Sequence, residues 1–160
     1  MRYLLSLSLK ELGRNAEALA QVMELLQTAV KRDSDVWKSW RQRTGNEIAN
    51  RLYLDGDFSR ALELYLNLVG LDTSPEWQFP VWYQIGLIHE RLLSPQQAVA
   101  AYQNIVAREG ELGSDAGPSA RTLVDMARWR RDFIQWKFEA EKSKVMLQQL
   151  PVTDPKPAAP

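Results

Sequence analysis

The chain of 160 residues carries one histidine, His89, set between Ile88 and the charged pair Glu90 and Arg91. An imidazole beside a carboxylate is a common kit for general acid–base chemistry near neutral pH. The rest of such a site is missing from the sequence. There is no cysteine, which excludes disulfides, thiolate metal sites and cysteine nucleophiles. A single histidine excludes multi-histidine metal sites and a two-histidine catalytic pair. No phosphate-cradling glycine loop, metalloprotease helix or nucleophile elbow occurs. The carboxylates of Asp33 and Asp35 read as helix caps in a turn. The expectation is a protein that is not an enzyme, with no catalytic residues, no metal and no cofactor, in which His89 fills space.

A second cluster, Arg128, Arg130 and Arg131 with Trp129 and Trp136, has the residue types that bind phosphates and stack bases. Asp125 and Asp132 interleave with those arginines, and twenty basic side chains balance twenty acidic ones over the whole chain. A net charge of zero lacks the basic excess of a nucleic-acid or anionic-membrane binder. The arginines are expected on a solvated face beside an apolar one, with no nucleic-acid partner. No stretch approaches the roughly 20 apolar residues of a membrane helix, so no membrane insertion is expected. The start, Met1 and Arg2 followed by the apolar run 3–9, imitates a signal peptide, but Lys10 and Glu11 cut it short. It reads as the first helix of the fold.

The elements that must position these groups show internal self-similarity. Small residues Ser6, Ala49 and Gly86 each follow a large apolar one, with Leu9, Leu52 and His89 three positions later and Ala18, Ala61 and Ala98 twelve later. Four beyond each alanine stands Val22, Tyr65 or Tyr102, and three beyond that Leu25, Leu68 or Ile105. Antiparallel helices joined by a tight turn approach closely only where small side chains face bulky ones. Gly13 and Gly56 suit the left-handed turn that ends a first helix, with Asn15 and Asp57 as caps of the second. In the third unit Leu93 stands where that glycine is expected, and Ser94-Pro95-Gln96-Gln97 has the form of a capping box.

This pattern resembles the tetratricopeptide repeat (TPR) family over about residues 2–110, with units at 2–31, 36–71 and 77–108. The alanines lie 43 and 37 residues apart, longer than the family period of about 34. The longer interval is expected to extend the helix running from about 36 through Trp37 and Trp40 to 54. The resemblance implies an all-α, TPR-like right-handed α-solenoid of three helix pairs. A further helix at 118–150 carries a heptad-like seam: Met126, Trp129, Phe133, Trp136, Ala140, Ser143, Leu147 and Leu150. Its first half, with Leu123, Ala127 and Ile134 added, is expected to cap the array, and its more charged second half to protrude. The proline-rich tail, 151–160, is expected to be disordered.

In the TPR family, first helices of successive repeats line a concave face that receives a peptide or partner helix. The resemblance places Arg43, Asn46, Glu47, Asn50, Tyr53, Tyr83, Gln84, Leu87, Glu90 and Arg91 on or near that face. Cochaperones of the family clamp a carboxylate with basic and amide side chains there. The matching positions here are Tyr3, Leu7, Glu47, Pro80 and Gln84, so that clamp is absent. Trp82 is expected in the core, whereas Trp37, Trp40 and Trp77 divide between gap-filling and interface roles. Solenoid ends need a polar outer face. The first helix is apolar around most of its circumference, which marks Tyr3, Leu4 and Leu7 as an end-docking surface.

The function expected is a non-catalytic scaffold or adaptor for a protein or peptide partner. Two alternatives stand beside it: an accessory helical domain of a larger enzyme, and a homo-oligomeric module joined through the first helix or the seam from Met126 to Leu150. The long-period repeats resemble bacterial envelope TPR proteins more than eukaryotic cochaperones. Compartment and partner identity are left open.

Overall fold

The computed structural model describes residues 35–113 and 117–148, together with Ser8, Leu9, Leu12, Arg14, Glu17, Ala20, Gln21 and Glu24. Most of the unit at 2–31, including Tyr3, Leu4, Leu7 and the turn at Gly13, lies outside the described residues, as do Leu150 and the tail 151–160. Among the described residues there are five long helices, one 3-10 turn and no strand. They are α1 (Asp35–Leu54), α2 (Phe58–Val69), α3 (Pro75–Arg91), α4 (Pro95–Val106) and α5 (Pro118–Gln148), with the 3-10 turn Glu109–Glu111 before the last.

The two turns 37 residues apart are built alike. After α1, the Gly56 amide donates to the Tyr53 carbonyl (3.1 Å) and Asp57 to Leu52 (2.9 Å). After α3, Leu93 donates to Glu90 (3.1 Å) and Ser94 to His89 (2.9 Å). Gly56 has φ +80°, and Leu93 is forced into the same left-handed region at φ +54°. Asp57 caps α2 by accepting from the Arg60 amide at 3.4 Å. Ser94 does not form the expected capping box. Its hydroxyl instead donates back to the Leu92 carbonyl at 3.3 Å, satisfying the end of α3 rather than the start of α4.

Small residues set the spacing. A Cβ on Gly45 would run into the Leu68 side chain, and one on Gly86 into the Tyr102 ring. Ala49 is fully buried against the same helix that carries Tyr65 and Leu68. Helix α3 is central and buries two faces. Val81, Ile85 and Ile88 join Ala49, Ala61, Leu64, Tyr65, Leu68 and Ala101 in one cluster. Phe79 and Tyr83 join Ala98, Tyr102, Ile105, Val124 and Ala127 in a second. Each helix packs against the next in the chain, and α3 also meets α5, which gives a helical, repeat-like architecture. Burial of each large apolar side chain contributes about 1.5–3 kcal/mol.

The start of α3 serves the end of α2. The Trp77 indole donates to the Leu68 carbonyl and the Gln78 amide to the Val69 carbonyl, both at 2.9 Å. The Val69 carbonyl closes its helix, and the Leu68 carbonyl, which also accepts the Leu71 amide at 3.1 Å, takes the indole as a further donor, so Trp77 has a structural duty at the α2–α3 junction. Trp82, half-buried, packs against both clusters. Pro80, inside α3, removes the amide that would bond the Glu76 carbonyl, at an exposed position where water can replace it.

Helix α5 departs from the expected division of faces. The array is met by Val124 and Ala127, which are buried, and by Leu123 and Ile134, which are partly buried. The seam residues Met126, Trp129, Phe133 and Trp136 stay exposed, at 42%, 62%, 46% and 65%. The small Ala127 lets α5 approach closely, and the larger aromatic stripe is turned outward. From 135 to 146 every side chain is exposed. At about 1.5 Å per residue α5 is about 46 Å long, and its second half projects beyond the array.

Candidate functional site

The residues expected on the concave face come from α1 and α3, and their environments differ. Arg43, Glu47 and Arg91 are exposed, while Asn46, Asn50, Tyr53, Gln84, Leu87 and Glu90 are half-buried and Tyr83 is buried. Arg91 joins the two helices by donating from Nε to the Tyr53 hydroxyl at 3.4 Å. The Tyr53 ring stands edge-on to Phe58 at 5.4 Å.

Three of the ten are committed to the fold itself. Asn50 accepts the Tyr65 hydroxyl at 2.6 Å through Oδ1. Burial raises the Tyr65 pKa above its ordinary value, so this hydroxyl remains a donor. Glu90 accepts the Tyr102 hydroxyl at 2.5 Å and Arg130 Nη1 at 3.0 and 3.1 Å. Arg130 also donates from Nε to the Tyr83 hydroxyl at 3.0 Å, with its guanidinium 5.9 Å from the Tyr83 ring centroid. Burial opposes the Arg130 charge, but Tyr83 and Glu90 outweigh it and hold the guanidinium pKa above its usual value. Burial, and then the bond to Glu90, push the Tyr102 hydroxyl up as well. In both helix pairs a tyrosine of the second helix thus donates back to a polar side chain of the first.

Arg130 and Tyr102 were not among the face residues expected from the sequence. The available signal was the tyrosine recurring at 65 and 102; nothing local links Arg130 to Glu90, 40 residues away. The neighbouring arginines are held in the same manner. Arg128 pairs with Glu109 (2.5 Å) and Asp125 (2.8 Å), and Arg131 with Asp132 (2.7 Å) and with Oε1 of the Gln103 side chain (2.9 Å). At the other end of the array Lys38 pairs with Asp72 at 2.6 Å, and the Ser74 amide donates to the same carboxylate at 2.9 Å. Lys38 and that amide lower the Asp72 pKa to about 2.

His89 is half-buried, in the position that Leu52 holds one unit earlier. Its Nδ1 is buried without a hydrogen-bond partner, and burial lowers the imidazole pKa. Glu90 is turned to Arg130 and Tyr102, so the pair is not arranged as a base and its orienting carboxylate. Among the described residues no three His, Asp or Glu side chains converge as a metal site. No helix among them is long and apolar enough to cross a membrane.

Comparison with protein-family models, curated proteins and solved structures finds none that matches.

Proposed function

We propose that the chain is a non-catalytic protein–protein interaction scaffold, a TPR-like right-handed solenoid that receives an extended peptide or a partner helix on the face made by α1 and α3. The observation that carries this reading is the contrast within that face. Arg43, Glu47 and Arg91 stay exposed and Asn46, Tyr53 and Gln84 half-exposed, on two helices joined by the Arg91–Tyr53 bond. Amides such as Asn46 and Gln84 suit the N–H and C=O groups of an extended backbone. Tyr53 and Leu87 offer apolar contact, and the mixed charges set polarity and register.

The test is selection from a displayed random-peptide library, followed by titration of enriched peptides against the protein and a variant with Asn46→Ala, Gln84→Ala and Arg91→Ala. The expected outcome is a shared sequence preference and an affinity loss of tenfold or more in the variant, about 1.4 kcal/mol. Leu66→Ser on the exposed side of α2 should leave binding unchanged. Failure to enrich any peptide, or binding indifferent to the triple substitution, overturns the reading.

A further inference from the structure

The outward stripe of α5 is large for a face left in water. Met126, Trp129, Phe133 and Trp136 are 42–65% exposed. The ring pairs Trp129–Phe133 (5.3 Å) and Phe133–Trp136 (6.0 Å) stack along the helix as one ribbon. A continuous apolar surface of several hundred Å² ordinarily marks an interface. At about 100° per residue the stripe lies roughly 150° around the helix from the packing residues Val124, Ala127 and Ile134. It therefore points away from the array, and a partner can reach it without displacing any of the described residues. The projecting second half of α5, from 135 onward, has about four turns, a length at which an isolated helix is marginal in water.

The charges beside the stripe say what covers it. With Met126, Phe133 and Ala140 at heptad position a, and Trp129, Trp136 and Ser143 at d, the e positions are Arg130, Lys137 and Lys144. The g positions are Asp125, Asp132 and Glu139. One edge of the stripe is basic in three successive heptads and the other acidic in three. Two copies side by side in a parallel coiled coil bring each g residue against the e residue of the next heptad in the partner. Asp132 then meets Lys137 and Glu139 meets Lys144, each twice by symmetry. Arg130 is already held by Glu90 and Tyr83, which leaves those two distal pairs. In the protomer Asp132 lies against Arg131 and Lys144 near Glu141, exposed contacts that pairing across the coiled coil would share or replace. An antiparallel arrangement instead sets g against g and e against e, like charge against like. The stripe is thus complementary to itself in one orientation. The small side chains of Ala140 and Ser143 permit close approach toward the tip.

We infer that this protein forms a two-fold homodimer in which the α5 helices of two copies pair as a parallel, in-register coiled coil along Met126, Trp129, Phe133, Trp136, Ala140 and Ser143. The two arrays then project from the same end of the rod, each presenting its own α1–α3 face. The inference rests on α5 alone and stands or falls independently of what that face binds.

Light scattering coupled to size exclusion on the full chain should give twice the monomer mass of 18.4 kDa, with a monomer fraction that grows on dilution. Phe133→Glu with Trp136→Glu should give a monomer. Both positions are exposed in the protomer, and circular dichroism of the array helices reports that the variant still folds. Orientation is read by cysteine, since the chain has none of its own. Met126→Cys and Ser143→Cys, made singly, should each yield a disulfide-linked dimer on mild oxidation, because an in-register parallel pair brings both positions against themselves. A monomer at all concentrations overturns the inference, as does a dimer that survives the double glutamate variant. A dimer in which only one cysteine position, or neither, cross-links overturns the parallel arrangement.

Discussion

The imidazole of His89 fills a slot that the equivalent position of the preceding unit gives to Leu52, and it does so with a buried Nδ1 that bonds to nothing. Burial disfavours the charged form, so its folded-state pKa lies below the ordinary 6.5. Above that value both the folded and unfolded chains hold a neutral imidazole and no difference arises. As pH falls below it, the unfolded chain takes up the proton first, and stability is lost until the folded protein is protonated as well. His89→Leu, which restores the apolar side chain of the earlier unit, removes this slope. Thermal melts from about pH 7.5 to about 5.5 should show a midpoint that falls more steeply in the wild type than in the variant. Parallel curves for the two proteins would mean that His89 is not the group responsible. At the same scale Glu90, next in sequence, has a different fate: Arg130 and Tyr102 absorb its charge, so it acts as a rivet between α3, α4 and α5.

Among the elements, the two turns between paired helices offer a matched comparison. Their backbone bonds are the same, yet one places glycine and the other leucine in the left-handed region. That conformation costs a leucine about 1–2 kcal/mol through Cβ crowding. Leu93 is 88% exposed, so little packing offsets the strain. Leu93→Gly is expected to stabilise the protein by about 0.5–1 kcal/mol, after allowing for the greater freedom of glycine in the unfolded chain. Gly56→Ala should destabilise it by about 1 kcal/mol. Urea titrations read both effects as opposite shifts of the midpoint at constant slope; a leucine-to-glycine change that lowers the midpoint would refute the strain argument.

At the scale of the whole molecule, the described helices are organised as neighbours in series. One cluster is built from α1, α2 and α3 with Ala101 of α4, the other from α3, α4 and α5, and α3 is central to both. In such an array stability is approximately a sum of local and nearest-neighbour terms. Leu64→Ala opens a cavity in the first cluster and costs about 2–5 kcal/mol there. Native-state hydrogen exchange should then show amides of α1 and α2 losing protection by more than those of α4 and the first half of α5. Equal loss in all four helices would show that the clusters open together.

Much of this was legible from local spacing. The alanines at 61 and 98, the tyrosines at 65 and 102, and the small residues Ala49 and Gly86 recur because a close helix pair needs them at those steps; the structure puts Ala49, Ala61 and Tyr65 in one core cluster and Ala98 and Tyr102 in the other, with Gly86 against the Tyr102 ring. Asp57 caps as its type and position imply. The lengthened first helix of the second unit follows from the 43-residue interval between Ala18 and Ala61, and α1 runs Asp35–Leu54. Apart from that interval, all of these depend on residues within one turn or one hairpin of each other.

Only the tertiary structure decided which stripe of α5 faces inward and where Glu90 finds its counter-charge. Helix α5 carries two apolar faces, one narrow around Ala127 and one broad and aromatic, and periodicity alone weighs the broad one more heavily. Close packing selects by fit rather than by amount, so the narrow face goes in and Trp129 and Trp136 remain outside. The Glu90–Arg130 pair needs α3 and α5 side by side, which no spacing within either helix encodes. Local geometry is written in the order of the residues, whereas the choice between competing faces depends on how closely a distant helix can approach.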